Sequence, residues 1–377
     1  MLMKKTVLSM FCAAVMCAAV NAQEEFTIAT LNVDGLPANL IVDINPDGPG
    51  ETWTPKIGEY FAGKAYDIIA VQENFNFHEE LCSGLGDGYS HDSWPGAMTF
   101  EKFGTVDELG MPVDGLNCFW NKDITGGRTD SVKWERSCGF IDHAADSLAT
   151  KGFRRYELTL KGGAQIVVYN LHADATDDPD ERTGKDIGDR NARYFEMVQL
   201  RQHILDNLDT RPVIVLGDFN CYYNRDTLKA QLIDYISNTG RATAGDAMIT
   251  LHKGGVYPEV RDTVGLPIRD GIYIWSEDEE LDKIIYINPV GGAELTPLEF
   301  SVDKTGYVRD DGTTPLGDHW PAVAKFKITA AASTGVNTAG KSVASGEGLW
   351  YTIDGRTLSR RPSKGVFIHQ GKAFINR

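Results

Sequence analysis

The chain has 377 residues, 42% hydrophobic and 24% charged, with 39 Gly and 15 Pro. That composition excludes collagen, a coiled coil and a fully disordered chain, and the length allows one large layered domain with appendages. Lys and Arg number 37 against 53 Asp and Glu, a formal charge of -16, so the chain has no general attraction for nucleic acid or anionic membrane.

Residues 1–22 read as an export signal. Lys4 and Lys5 precede an apolar run, and Val20-Asn21-Ala22 fits a small-x-small cleavage site before Gln23. The run is too short to span a bilayer, so a secreted product is expected: extracellular, cell-surface or periplasmic. Cleavage leaves Cys82, Cys118, Cys138 and Cys221. Cys118 and Cys138 flank a polar stretch and form the preferred disulfide, the alternative being four thiols.

Strands are predicted at 26–33, 66–73, 116–122, 154–160, 164–172, 212–220, 283–290 and 319–328, each rich in β-branched or aromatic residues between turns. Helices are predicted at 51–64, with Trp53, Ile57, Tyr60 and Phe61 on one face, and at 192–208, with Tyr194, Met197, Leu200, Ile204 and Leu208. Many strands and few helices suggest two stacked sheets covered by helices, over residues 23–330. Residues 331–348 lack any large apolar side chain and read as a linker. Residues 349–377 carry three short strand signals and read as a basic, β-rich appendage.

Polar residues recur at the ends of these strands. Asn32, Glu73, His172, Asp218 and Asn220 end strands, while Asp282 and the pair Asp318-His319 begin them. Singly, each is as well explained as a turn or surface residue. Together they are carboxylates and amides without a cysteine cluster, a set that favours a hard cation such as Mg²⁺. Glu73, helped by Asn32 and Asp318, would suffice to hold it. Of two histidines, one can take a proton from water and the other can donate to a phosphoryl oxygen. No nucleophile-elbow serine is present, which favours direct attack by water on a phosphate ester.

The motifs TLNVDG (30–35), AVQE (70–73), YNLHAD (169–174), GDFN (217–220), LDKIIY (281–286) and GDHWPA (317–322) resemble, in order and spacing, the endonuclease/exonuclease/phosphatase (DNase I-like) metallohydrolases. The resemblance implies an α/β, four-layer α/β/β/α sandwich with two mixed sheets. It further implies Glu73 as principal metal carboxylate with Asn32 and Asp318 nearby, and Mg²⁺ as cofactor, with Mn²⁺ or Ca²⁺ as substitutes. His319 would be the base, oriented by Asp282. Asp218 and Asn220 would position water and phosphate oxygens, His172 would stabilise the phosphoryl group, and Asp114 would support that histidine. The family's usual serine before Asp-His is Gly317 here.

Residues 71–89 and 136–158 are similar to the neutral sphingomyelinase branch, which implies a phospholipid head group as substrate. The rival readings are a DNase I-like nuclease, for which Arg128, Lys133, Arg136, Lys151, Arg154, Arg155 and Lys161 could grip phosphates, a related phosphatase, and a catalytically silent binding module. The last 28 or so residues resemble C-terminal sorting modules of secreted Bacteroidetes proteins, which implies engagement of an export or surface-retention system.

Overall fold

Strands β1 (Gln23–Asn32) and β2 (Ile68–Gln72) show how alternation builds the layers. Phe26, Ile28, Ile68 and Ala70 enter one hydrophobic core, while Ala29, Leu31, Ile69 and Val71 enter a second core on the opposite face. A strand buried on both faces must sit in the middle of a sheet with cover on each side. The computed structural model describes residues 23–36, 45–97, 114–136, 150–175, 186–223, 227–258, 281–331, 350–352, 357–358, 365–369 and 372–376. The expected export signal lies outside them, as does all of the expected linker except Ala331.

The other strands of the main unit are β3 (Tyr89–His91), β4 (Asn117–Asn121), β5 (Thr125–Lys133), β6 (Gly152–Thr159), β7 (Gln165–His172), β8 (Val213–Asp218), β9 (Ala242–Asp246), β10 (Asp282–Pro289), β11 (Glu294–Val302) and β12 (Ala322–Thr329). They form two six-stranded sheets, in the orders β11-β12-β1-β2-β4-β3 and β5-β6-β7-β8-β10-β9. β1–β2 and β7–β8 are parallel and the remaining pairs antiparallel, so both sheets are mixed. Helices α1 (Gly50–Lys64) and α2 (His78–Leu85) cover the first sheet through Ile57, Phe61, Leu81 and Leu85. α3 (Asp186–Asp206) buries Met197, Leu200 and Ile204 in the larger core. The observed architecture is the expected α/β sandwich of two stacked mixed sheets.

Two expectations change, and a third falls partly outside the described residues. Tyr194 is 38% exposed instead of sharing the buried face of α3. At about 100° per residue it lies about 120° around the helix from Leu200, off a stripe centred on Leu200. Cys118 is a free thiol that points from β4 into the core between the sheets, and Cys138, its expected partner, lies outside the described residues. The appendage has four strands where three were expected: β13 (Trp350–Thr352), β14 (Thr357–Leu358), β15 (Gly365–His369) and β16 (Lys372–Asn376), in the order β14-β13-β15-β16. It belongs to a second compact unit that begins at Ser333.

A polar seam ties the two sheets together inside the apolar core. Gln72 Nε2 donates to Asn170 Oδ1 (2.7 Å), and Asn170 Nδ2 donates to the carbonyls of Val71 (2.9 Å) and Asn117 (3.0 Å). Further along, Arg154 is fully buried on β6. Its guanidinium donates to Asp92 Oδ2 (2.7 Å) and twice to Asp114 (2.7 and 3.0 Å). Such a charge cluster is tolerated only when every member is paired. Arg154→Ala leaves Asp92 and Asp114 buried without their cation, and should cost ~3–5 kcal/mol. Urea denaturation checks this, and a loss below about 1 kcal/mol would contradict the seam's role.

Candidate active site

Register alone brings three residues of the site together. His172, the last residue of β7, stands opposite Asp218 on parallel β8, and Asp282, the first residue of β10, stands opposite Asp218 on the other side. Gly217 makes this pairing possible. Its φ is 141°, and a Cβ there would lie 2.0 Å from the Leu171 carbonyl oxygen. Asp218 Oδ1 accepts from the backbone N–H of Asn220 (2.9 Å), whose φ of 49° turns the chain sharply after the strand. Asn220 Nδ2 then donates to the Ala173 carbonyl (3.1 Å), joining the two loops that follow the parallel strands.

The first sheet supplies the rest. Asn32 Nδ2 donates to Glu73 Oε1 (2.9 Å) and to Asp218 Oδ2 (3.2 Å), linking β1, the residue after β2 and the second sheet through one amide. Its Oδ1 accepts the Asp34 N–H (3.0 Å). Glu73 has a φ of 55°, and its carbonyl accepts the Gly35 N–H (3.1 Å). A Cβ on Gly35 would meet that same carbonyl oxygen at 2.3 Å, so only glycine allows the two loops to close this tightly.

His319 completes the cluster from the loop before β12. Its Nδ1 lies 2.7 Å from Asp282 Oδ2, and its Nε2 lies 3.7 Å from Asp218 Oδ2. The Asp282 bond fixes the ring and its tautomer, leaving Nε2 to face the site. Burial alone would lower the His319 pKa, but Asp282, Asp318 and Asp218 together hold it well above the ordinary imidazole value. Burial would raise Asp218, yet His319 and His172 hold it below the usual carboxylate range. His172 Nε2 stands 3.8 Å from Glu73 Oε1 and 3.6 Å from Asp218 Oδ2. Its carbonyl accepts the Trp134 indole N–H (2.8 Å).

Glu73 is pushed up to about 7, first by burial and then by Asp318. Asp34 is pushed up to about 8, by burial, Asp318 and Glu73. Asp318 itself is exposed at the edge of this group. Three carboxylates thus crowd one place with too little positive charge, which a hard divalent cation would relieve. Asp218, Asp282 and His319 also present ligand atoms within 4.8 Å of one another and could hold an ion.

Of the expected site residues, Asn32, Glu73, His172, Asp218, Asn220, Asp282, Asp318 and His319 therefore converge. Asp114 is placed differently: both of its oxygens accept from Arg154, and Oδ1 also takes the Leu116 N–H (2.9 Å). Two residues were missed as members. Asp34 is buried and held by Asn45 Nδ2 (2.6 Å to Oδ1). Its signal was its place two residues after Asn32 in TLNVDG. Lys151, read as part of a basic patch, is buried beside the acids, where its charge lowers Glu73 and Asp218 and its Nζ donates to the Ala173 carbonyl (3.1 Å).

Several members of that patch are engaged within the fold. Arg154 is buried in its carboxylate pair, Arg155 is paired with Glu157 (2.7 Å) and Lys161 with Asp123 (2.7 Å). Arg128 donates to Ser131 (2.9 Å), and Arg136 stacks 3.9 Å from the Phe195 ring centre. Alternation along β5 and β6 sends neighbouring cations to opposite faces.

No family model matches the chain. Curated proteins named sphingomyelinase from Mycobacterium bovis and Mycobacterium tuberculosis are 27% identical over 307 residues, 81% of this chain and 53% of theirs. The chain spans about half the length of these relatives. Among solved structures, TDP2 of D. rerio in complex with a single-strand DNA product matches with a TM-score of 0.51 at 14% identity, covering 80% of this chain and 98% of the other. An endonuclease/exonuclease/phosphatase protein of Bacteroides vulgatus matches with a TM-score of 0.50 at 17% identity, covering 80% and 98%. The chain has the fold of these proteins.

Two glycine substitutions probe the packing of the site. Gly35→Ala should cost ~1–3 kcal/mol, because backbone rather than a movable side chain blocks the new methyl. Gly317→Ser should change stability by less than about 0.5 kcal/mol, since a Cβ there meets the Tyr307 hydroxyl at 3.4 Å and Asp34 Cβ at 3.5 Å. Denaturant midpoints compare the two, and equal effects would contradict the close approach of Gly35 to Glu73.

Proposed function

We propose that this protein is a secreted, Mg²⁺-dependent phosphodiesterase that hydrolyses a sphingomyelin-like phospholipid by direct attack of water. The observation that carries the reading is the His319–Asp282 pair, with Nε2 of His319 facing Asp218 beside the Glu73–Asn32 group. A carboxylate-oriented imidazole next to crowded oxygen donors is the equipment for activating water at a phosphate ester. The 27% identity to proteins named sphingomyelinase supports the substrate class.

The oxygen donors fit Mg²⁺, and Glu73, Asp318 and Asn32 would hold it, with Asp34 adjoining. Bound there, Mg²⁺ supplies positive charge against the acids and against a phosphate ester. In its neutral form, His319 takes the proton of the attacking water at Nε2, and Asp282 stabilises the resulting imidazolium through Nδ1. Asp218 lies within reach of both histidines and accepts from Asn32, so it holds the base and the phosphoryl-binding side in one frame. His172 Nε2 donates to a phosphoryl oxygen, and Asn220 shapes the turn beside it. The pairing of Arg154, Arg155 and Lys161 with acids of the fold argues against a long polyanion as substrate, and the acidic balance of the whole chain points the same way.

His319→Ala should lower turnover by ~10²–10⁴-fold, with Asp282→Asn somewhat milder, in protein that is still folded at the assay temperature. EDTA should abolish activity and Mg²⁺ restore it. The assay compares sphingomyelin, phosphatidylcholine, an inositol phosphate and single- and double-stranded DNA. Fastest hydrolysis of sphingomyelin is expected; fastest hydrolysis of DNA, or full activity of metal-free protein, would overturn the reading.

A further inference from the structure

Behind the Glu73 loop lies a second group of metal-ligating side chains that the proposed reaction does not use. His78 and Cys82 stand one turn apart on α2, so both point to the same side of the helix, and His91 faces them from the edge strand β3. Their ligand atoms all lie within 4.8 Å of one another. His78 is buried, Cys82 half-buried and His91 exposed, so the group is walled by protein on one side and open to solvent on the other.

Both rings are held from outside the group. His78 stacks on Trp94 (5.0 Å, 13°) and on Phe119 (5.9 Å, 24°), and His91 packs edge-on against it (5.1 Å, 72°). The Trp94 indole N–H donates to the Asn74 carbonyl (2.9 Å), which fixes the stacking ring. His91 Nδ1 lies 2.8 Å from the Asp92 carbonyl oxygen. A carbonyl can only accept, so Nδ1 carries the proton and Nε2 keeps its lone pair, the outer-shell arrangement found around metal-bound histidines. The Cys82 sulfur already sits 3.4 Å from His78 Nε2.

We propose that His78, Cys82 and His91 form a binding site for a borderline-soft divalent ion of the Zn²⁺ type, separate from the acid cluster. Two nitrogens and a thiolate select such an ion over Mg²⁺. Ligand atoms around a tetrahedral ion stand about 3.3–3.8 Å apart, from bonds of about 2.0–2.3 Å, so closure needs only small rotations of the exposed His91 and of Cys82. The fourth position opens to water.

Binding has a proton balance. The Cys82 thiol releases its proton to solvent, and the His78 ring proton moves from Nε2 to Nδ1. Asn74 Nδ2 now lies 2.7 Å from His78 Nδ1 and 2.9 Å from Asn117 Oδ1, so the Asn74 amide must turn its oxygen to His78 and lose the Asn117 bond. One neutral hydrogen bond is a small loss against the affinity of a thiolate–imidazole site. Asn74 is the residue after Glu73, so this rearrangement adjoins the acid cluster.

Co²⁺ is a suitable probe, because the acid cluster can also take it but only a thiolate ligand gives the intense near-ultraviolet sulfur-to-cobalt absorption. Titration of the full chain, reduced, chelated and then saturated with Mg²⁺, should develop that absorption to one equivalent. Cys82→Ala should abolish it. His91→Gln, at an exposed position that leaves the fold intact, should raise the half-saturating Co²⁺ concentration at least about tenfold. Absence of the absorption in the wild type, its survival in Cys82→Ala, or an unchanged titration in His91→Gln would overturn the proposal.

Discussion

The candidate active-site cluster depends on the register of one strand. Asp218 ends β8 and is the partner of His172 on one side and of Asp282 on the other. A slip of one residue in either pairing would turn the neighbour's side chain to the opposite face of the sheet. The register is protected by burial: every residue of β8 is buried, and so are Asp282 and His172. Gly217 adds a steric condition, since its close approach to the Leu171 carbonyl admits no side chain.

A polar site between two apolar sheets must be insulated from the cost of burying it. Gln72, Asn170 and Asn117 answer one another across the sheet interface, and Arg154 pairs with both Asp92 and Asp114. This seam starts one residue before Glu73 and two before His172, so the groups that hold the sheets together also fix the height at which the reactive side chains emerge. Charge that would otherwise be available at the surface is consumed here. Arg154 is one of seven cations that read in sequence as a phosphate-binding patch, and its actual partners are internal.

The strands that carry the site were legible because they are buried on both faces and read as continuous apolar runs, as in VIVLGD. β5 escaped detection because TGGRTDSVK is an edge strand with no buried residue, and β11 because Pro297 and a register shift interrupt its alternation. Most site residues were legible from their places at strand ends. Asp34 offered only its place two residues after Asn32, and Lys151 no signal beyond its charge, because the importance of both comes from burial beside Glu73. Asp114 shows the converse: its acid was visible, but its Arg154 partner sits 40 residues away on another sheet. His78, Cys82 and His91 formed no recognisable ligand motif, since the third member arrives by strand pairing.

In the proposed reaction, water deprotonated at His319 displaces the leaving group at phosphorus in a single step. The stereochemical course at phosphorus tests it most directly. A chiral phosphorothioate diester hydrolysed in ¹⁸O-labelled water should give the labelled monoester with inverted configuration, as one in-line displacement requires. Retention of configuration would mean two displacements through a covalent enzyme intermediate, and would contradict the assignment of His319 as the base for direct attack.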